Sequence, residues 1–178
     1  MQNLSKMKSL FIVRHAKSAW DHPGLEDYQR PLLEKGKKRT KYIVDYLLQR
    51  NTRVDLILSS HAKRALETAK IIANALNYPE NKIIISKNIY HGNADSLFNH
   101  FYDLSDDVSA LMMVGHNPTF TYFANYFMDK PIDNLPTSGV VCIEFQTDSW
   151  SNFLEVPRKT KFVISPRKLR DDISRKRK

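Results

Sequence analysis

The sequence predicts an α/β protein built as a three-layer α/β/α sandwich with a mostly parallel central sheet. Short apolar runs alternate along residues 9–128 with segments whose apolar residues recur at helical spacing, a pattern typical of parallel sheets covered by helices. After residue 128 two further apolar runs follow without a helical segment between them, which predicts an antiparallel end to the sheet. The 178 residues, 42% of them hydrophobic, suffice for one domain with a full core.

Each element is predicted from its own local pattern. An apolar run that stops abruptly at a polar residue indicates a buried strand, and apolar residues three or four apart indicate a helix. The predicted strands are 9–13, 54–58, 82–86, 110–114, 139–145 and 162–165. The predicted helices are 34–49, 65–76, 95–104 and 119–128. For the last helix, Asn117 is the expected N-cap and Pro118 the expected first residue.

The formal net charge of +9 is distributed unevenly along the chain. Residues 157–178 contain ten lysines and arginines against two aspartates, so this segment carries +8 and the preceding 156 residues about +1. We therefore expect a short polar lead at 1–8, one domain at 9–169 and a basic tail at 170–178. The tail is expected to be a solvated end or a docking arm for an acidic protein or nucleic acid.

The sequence also indicates where the protein is located in the cell and whether it binds a membrane, a metal or a cofactor. The single cysteine, Cys142, lies in an apolar run and reads as a buried thiol, which together with the absence of a signal segment predicts a reducing, cytoplasmic location. No apolar run approaches the roughly 18–20 residues of a membrane span, so no membrane association is expected. The histidines lack the paired spacing of a zinc motif, so neither a metal site nor any other cofactor is expected.

Cationic and donor groups follow three of the predicted strands. Arg14 and His15 follow the first strand, Arg64 follows the second, and His116 follows the fourth. Ligands of open α/β sheets bind beyond the carboxyl ends of the strands, so these side chains are expected to converge. Arginine forks and helix N-termini suit a phosphoryl dianion, and a neutral imidazole is a competent nucleophile towards phosphorus. The sequence therefore predicts a phosphoryl-transfer site that needs no metal.

These residues resemble the motifs of the histidine phosphatase superfamily, which includes the phosphoglycerate mutases. The segment RHAKSAWD at 14–21 is similar to the family's RHG-x-S/T-x-x-N signature, SHAKRALETA at 60–69 to its S-x-x-x-R-A-x-x-T segment, and VGHNP at 114–118 to its second-histidine segment. The likeness spans roughly residues 10–169. Features at 30–36, 135–137 and 165–169 resemble the SixA-type branch, the small phosphohistidine phosphatases. The resemblance implies a phosphoglycerate mutase-like fold.

The resemblance also implies roles for individual residues. His15 would attack phosphorus and become phosphohistidine, which water then hydrolyses. Arg14, Arg64 and His116 would bind the phosphoryl oxygens. Ser18 matches the family's small hydroxyl position.

Further residues around these motifs are expected to contact the substrate. With Ser18, the expected substrate-binding residues include Asn117 and Lys17, the latter at the rim of the site. Ala16 replaces the glycine of the RHG motif, a change common in the SixA-type branch.

The sequence departs from the family pattern where a proton donor is expected. Asp21 stands where the family has an asparagine that binds phosphate, so its carboxylate points away, is protonated or acts as an acid. Many members carry an acidic residue after the third strand, and here only Tyr90, His91 and Asp95 are available, with Tyr90 and His91 the candidate acids. A missing acid disfavours alkyl phosphate esters, whose leaving group needs a proton, and favours a phosphoramidate.

The expected function is hydrolysis of phosphohistidine in a phosphorylated protein. A phosphatase of a small phosphorylated metabolite and a non-catalytic phosphate-binding module are the alternatives. A nucleic-acid-binding role is disfavoured because the body of the chain is nearly neutral and no aromatic residues alternate with the charges of the tail. The oligomeric state is left open.

Overall fold

The computed structural model describes residues 7–20 and 23–176, and within these ranges the chain forms one six-stranded sheet with helices on both faces. The strands are β1 Lys8–Arg14, β2 Leu56–Ser60, β3 Ile84–Ser86, β4 Ala110–Gly115, β5 Val140–Phe145 and β6 Arg158–Ile164. The helices are α1 Glu34–Gln49, α2 Lys63–Ala75, α3 Asn88–His91, α4 Ala94–Phe98, α5 Thr119–Phe127 and α6 Pro166–Lys176. Single 3₁₀ turns form at Asp27–Gln29, Glu80–Lys82, Asn99–Phe101 and Trp150–Asn152.

The sheet has the order β3-β2-β4-β1-β5-β6. β1, β2, β3 and β4 are parallel to one another, and β5 and β6 join as antiparallel strands beside β1. The prediction of a mostly parallel sheet with an antiparallel end is therefore confirmed. The central strand β1 is almost wholly buried, as expected for a parallel strand covered on both faces.

Side chains of β1 alternate between two separate cores. Leu10 and Ile12 point into a core formed with α3, α4 and α5, while Phe11 and Val13 point into a second core formed with α1, α2 and α6. Because successive residues of a strand face opposite sides, one apolar run supplies both layers. The three-layer sandwich is thus confirmed.

The first core is rich in aromatic rings. Phe120, Phe123 and Phe127 lie on one face of α5 and are buried, as their spacing predicts. Phe101 and Phe153 stack at 4.4 Å between ring centroids. Large apolar side chains of this kind dominate the energy of burial, which fixes α5 and the preceding loop against the sheet.

Some elements differ from their predicted extents. The helix predicted at 95–104 is split into α4 and a 3₁₀ turn, and β6 begins at Arg158 rather than at residue 162. Residues 1–6 of the predicted lead lie outside the described residues. Lys8 belongs to β1, and its buried ammonium donates to the carbonyls of Asp106 and of Val108, the latter at 3.0 Å.

The C-terminal segment forms α6, and Leu169 packs against the second core beside α1. The boundary drawn after residue 169 falls inside this helix. The described residues continue this helix past residue 169 up to Lys176, and Leu169 anchors it to the second core.

Cys142 in β5 is fully buried as a free thiol, and burial raises its pKa to about 12. Within residues 7–20 and 23–176, none of the helices has the length and apolar character needed to cross a bilayer.

Candidate active site

The carboxyl ends of β1, β2 and β4 meet at one edge of the sheet and carry the predicted site residues. Arg14 ends β1 and pairs in register with Gly115 at the end of β4, so the residues that follow, His15 and His116, become neighbours. Their ring centroids are 5.1 Å apart. Arg64 lies in the first turn of α2, directly after β2. The structure therefore brings together the four side chains that the motifs single out.

A cavity of about 470 Å³ opens between these side chains. All seven residues predicted for catalysis or substrate binding line it, namely Arg14, His15, Lys17, Ser18, Arg64, His116 and Asn117. The sequence did not predict the other lining residues, which are Trp20, Asp27, Arg30, Arg39 and Thr137. The cavity is strongly cationic and suits a small anionic group.

His15 is held as a neutral imidazole with a defined orientation. Its Nδ1 lies 2.7 Å from the carbonyl oxygen of Ala16, so Nδ1 carries the proton and Nε2 keeps its lone pair, which accepts from Arg64 Nε at 3.3 Å. Burial, with the positive charges of Arg64 and Arg14, lowers the pKa of His15 from 6.5 to about 4. At neutral pH this imidazole is uncharged and can act as a nucleophile.

His116 is the second imidazole of the cavity and is also neutral. Its Nε2 lies 2.8 Å from the hydroxyl oxygen of Ser60, whereas its buried Nδ1 has no hydrogen-bond partner among the described residues. Burial, and then the proximity of His15 and the positive charge of Arg64, hold its pKa far below the usual range of histidine. An unpaired buried nitrogen costs free energy.

Asp27 holds the arginines of the cavity in place. Its Oδ2 accepts from Arg64 Nη2 at 2.8 Å and from the Tyr90 hydroxyl at 2.5 Å, and its Oδ1 accepts from Arg30 Nη2 at 2.7 Å. Burial alone would raise the pKa of Asp27, but these three hydrogen bonds together hold it well below the usual carboxyl range. Asp27 is therefore a carboxylate at neutral pH. Asp27 does not bind the Nε of Arg64, and this nitrogen donates to His15 Nε2 at 3.3 Å.

Arg14 and Asn117 are fixed by the loop before β5. Arg14 Nη1 donates to the carbonyl of Leu135 at 2.9 Å, and Asn117 Nδ2 donates to the same carbonyl at 3.0 Å and to Asn134 Oδ1 at 2.8 Å. Asn117 is thus not the N-cap that the sequence predicts. The helix begins at Thr119 after Pro118, and the amide of Asn117 is directed to the Asn134–Leu135 loop instead.

The backbone of the His15 loop is anchored from three sides. The amide of Ala16 donates to the Thr68 hydroxyl at 2.9 Å, which gives the threonine of the second motif a structural role. Gly36 of α1 packs on the backbone of Lys17 so closely that a Cβ would lie 2.3 Å from its carbonyl oxygen.

The third anchor is Ser138, whose φ of 58° places it in the left-handed region. Its amide donates to the carbonyls of Arg14 at 3.1 Å and of His15 at 3.2 Å. Its hydroxyl lies 2.8 Å from the hydroxyl of Thr40 in α1. The start of β5 and helix α1 are therefore both connected to the His15 loop.

The other predicted residues take varied positions. The Ser18 hydroxyl is buried and accepts from Arg30 Nη1 at 3.4 Å, and the half-buried Lys17 lines the cavity. Arg30 in turn packs 4.1 Å from the ring centroid of the exposed Trp20.

Among the described residues, none of the candidate acids lines the cavity. Asp21 lies outside the described residues. Tyr90 and His91 do not line the cavity, since the Tyr90 hydroxyl donates to Asp27 and His91 is exposed beside His61. Burial and the hydrogen bond to Asp27 raise the pKa of Tyr90, so its proton is retained at neutral pH. Among the described residues, no group of three histidine, cysteine, aspartate or glutamate side chains has an arrangement suited to a metal ion.

Known proteins share both the sequence pattern and the fold. The sequence profile of the histidine phosphatase superfamily (branch 1) matches residues 10–89. The SixA structure from Agrobacterium tumefaciens is 26% identical with a TM-score of 0.75, over 89% of this chain and 98% of that one. The protein histidine phosphatase SixA complexed with tungstate is 20% identical with a TM-score of 0.76, over 90% and 99%.

A more distant likeness shows the fold alone. The mycobacterial glucosyl-3-phosphoglycerate phosphatase is 10% identical with a TM-score of 0.60, over 87% of this chain and 97% of that one. The profile covers the segment that carries Arg14, His15 and Arg64, and the SixA structures extend the likeness over nearly the whole chain. The chain is a phosphatase whose residues 10–89 match the histidine phosphatase superfamily and whose architecture is that of the SixA-type structures.

Proposed function

We propose that this phosphatase hydrolyses phosphohistidine in a protein, without a metal, through a phosphohistidine intermediate on His15. One observation carries the choice of substrate class. Asp27 is the only carboxyl group that lines the cavity within residues 7–20 and 23–176, and its hydrogen bonds to Arg30, Arg64 and Tyr90 keep it ionised. It cannot donate a proton to a leaving group at neutral pH.

The leaving group decides what such a cavity can cleave. The alkoxide released from a phosphate monoester is strongly basic and needs a positioned acid. The imidazole released from phosphohistidine is a far weaker base and can be protonated before or during cleavage of the P–N bond. A cavity with two positioned arginines and an ionised carboxylate therefore favours a phosphoramidate over an alkyl ester.

The reaction then proceeds in two balanced steps. The Nε2 lone pair of His15 attacks phosphorus while the bond from phosphorus to the substrate imidazole breaks, and that imidazole takes up a proton. Water next attacks the phosphorus held on His15, the P–Nε2 bond breaks, and inorganic phosphate leaves. The proton released by water balances the one taken up by the leaving imidazole.

The surrounding groups stabilise the charge that these steps develop. Arg14 and Arg64 face the three oxygens of the transferring group, where each positioned donor lowers the barrier because it needs no reorganisation. His116, which lines the same cavity, is placed to make a further contact. A bound dianion offsets the positive charges that lower the pKa of His116, so this imidazole gains proton affinity when substrate is present.

Turnover of defined substrates tests the proposal. A phosphohistidine protein should be hydrolysed faster than p-nitrophenyl phosphate or a sugar phosphate, and brief incubation should leave acid-labile phosphate on the enzyme. His15→Ala should abolish both signals. Arg64→Ala should slow the reaction several-hundred-fold, on the order of 3–4 kcal/mol of transition-state stabilisation.

The alternatives predict different outcomes. Arg53→Ala removes an exposed arginine remote from the cavity and should leave the rate unchanged. Faster hydrolysis of small phosphate esters than of phosphohistidine protein would make this chain a metabolite phosphatase. Binding of phosphorylated protein without phosphate release would leave only a phosphate-binding module. An active His15→Ala variant would refute the phosphoenzyme.

A further inference from the structure

A basic groove runs from the mouth of the catalytic cavity along the surface between α1 and α6. Two adjoining cavities of about 350 and 440 Å³ form it, and both are lined by Arg39, Tyr42 and Arg170. The nearer cavity is also lined by Thr137, which together with Arg39 lines the catalytic cavity. The catalytic site and the groove therefore form one connected surface.

The charge of this α1–α6 groove is strongly one-sided. One carboxylate, Asp45, lines it among the described residues. Six cations line it, namely Lys35, Lys38, Arg39, Lys41, Arg167 and Arg170. All six side chains are exposed.

Neighbouring acids offset only part of this charge. On α6, Asp171 lies 3.1 Å from Arg170 and 3.9 Å from Arg167. On α1, Glu34 pairs with Lys37, which is not a lining residue. The lining lysines of α1, Lys35, Lys38 and Lys41, recur every three residues and so form one stripe along the helix. Their net positive potential would attract an acidic ligand and raise its association rate.

The shape of the groove selects the kind of ligand. A phosphorylated metabolite seated on His15 would fill the catalytic cavity and leave two further cavities empty, whereas an extended polypeptide advances about 3.3 Å per residue and would span them. Single-stranded nucleic acid binds through successive stacked aromatic rings, and Tyr42 is the one aromatic side chain among the described lining residues. An acidic polypeptide suits both the connected cavities and their positive charge.

We propose that the α1–α6 groove binds an acidic segment of the phosphoprotein that flanks the phosphorylated histidine. This inference rests on the proposed phosphohistidine activity. It gives two arginines of α6, Arg167 and Arg170, a role in binding the substrate protein. The groove would raise the affinity for protein substrates without taking part in phosphoryl transfer. It would thereby distinguish acidic partners from other phosphohistidine proteins.

Two synthetic peptides test the inference. Each carries one phosphohistidine, flanked on both sides by six residues that are mainly glutamate in one peptide and glutamine in the other. At low salt the wild-type KM should be at least about tenfold lower for the glutamate peptide, and 0.5 M NaCl should remove most of the difference by screening. Equal KM values for the two peptides would overturn the proposal.

Charge-reversal variants show whether the preference for the glutamate peptide arises in the α1–α6 groove. Lys38→Glu with Arg170→Glu should abolish the preference while leaving hydrolysis of phosphoramidate unchanged, since neither residue lines the catalytic cavity. A second variant, with Lys35, Lys38 and Lys41 changed to glutamate, keeps the test valid if the first fails to fold. Lys82→Glu with Lys130→Glu changes the net charge equally at exposed sites outside the groove and should retain the preference.

A binding measurement separates this proposal from the proposed function. Fluorescence anisotropy of the labelled, unphosphorylated glutamate peptide should show binding to wild type that the groove variants lose and the control variant keeps. That result would stand even if no phosphohistidine were hydrolysed, in which case only the proposed function fails. Loss of binding in the control variant, or tighter binding of an RNA oligonucleotide of equal charge, would refute the acidic-peptide groove.

Discussion

Replacing His15 by glutamine removes a buried imidazole whose titration should make the stability of the protein depend on pH. The pKa of His15 falls from 6.5 to about 4 on folding, chiefly through burial and the charges of Arg64 and Arg14. The folded state disfavours the protonated form of His15. The contribution of the neutral imidazole to the free energy of unfolding is therefore complete above pH 6.5 and is lost progressively as the pH falls from 6.5 towards 4. Linkage gives a loss of about 2 kcal/mol between pH 7 and pH 5, and about 3 kcal/mol once both states are protonated.

Urea unfolding at pH 7 and pH 5, followed by circular dichroism, measures this loss directly. The free energy of unfolding of wild type should decrease by about 2 kcal/mol more than that of His15→Gln, since the difference between the two proteins isolates this one group. Other titrating groups, including His116, remain in both proteins. Parallel decreases in the two proteins would refute the argument that His15 is held neutral by burial and neighbouring cations.

Three further predictions follow from contacts of the site and the core. Asp27→Asn should lower kcat on a phosphohistidine peptide roughly 10- to 100-fold, because the arginines that it holds lose their alignment, and unchanged kcat would contradict this role. Gly36→Ala should lower the free energy of unfolding by about 1–3 kcal/mol, since its Cβ would collide with the Lys17 carbonyl, whereas Lys35→Ala, an exposed neighbour, should change it by less than about 0.5 kcal/mol in the same urea titration. The thiol of Cys142 should react with a colorimetric thiol reagent only after unfolding, with activity unaffected in the native protein, and rapid native-state labelling would contradict its burial.

Patterns of local sequence predict much of this fold. Helix α1 is predicted with its observed bounds, and the main strands are located to within a few residues, because each apolar run faces a core. The charged composition of 166–176 hides α6, since Leu169 and Ile173 are its only apolar side chains after Pro166. Packing of Leu169 against the second core, which needs tertiary structure, stabilises that helix.

The site shows the same division between local and tertiary information. Arg14, His15, Arg64 and His116 follow strands, so the rule for ligand positions in α/β sheets predicts that they meet. Nothing local distinguishes Asp27 from a surface acid, because its partner Arg64 stands 37 residues further along the chain and Tyr90 stands 63 residues further. Only the folded chain shows that this carboxylate belongs to the site.

The carboxylate of Asp27 also determines how the free energy of anion binding divides between enthalpy and entropy. Arg64 and Arg30 are ordered before an anion arrives, so little rotamer freedom is left to lose on binding. The same negative charge repels a phosphoryl dianion and weakens its affinity. The free energy of anion binding therefore includes a small loss of side-chain entropy and an electrostatic penalty from Asp27.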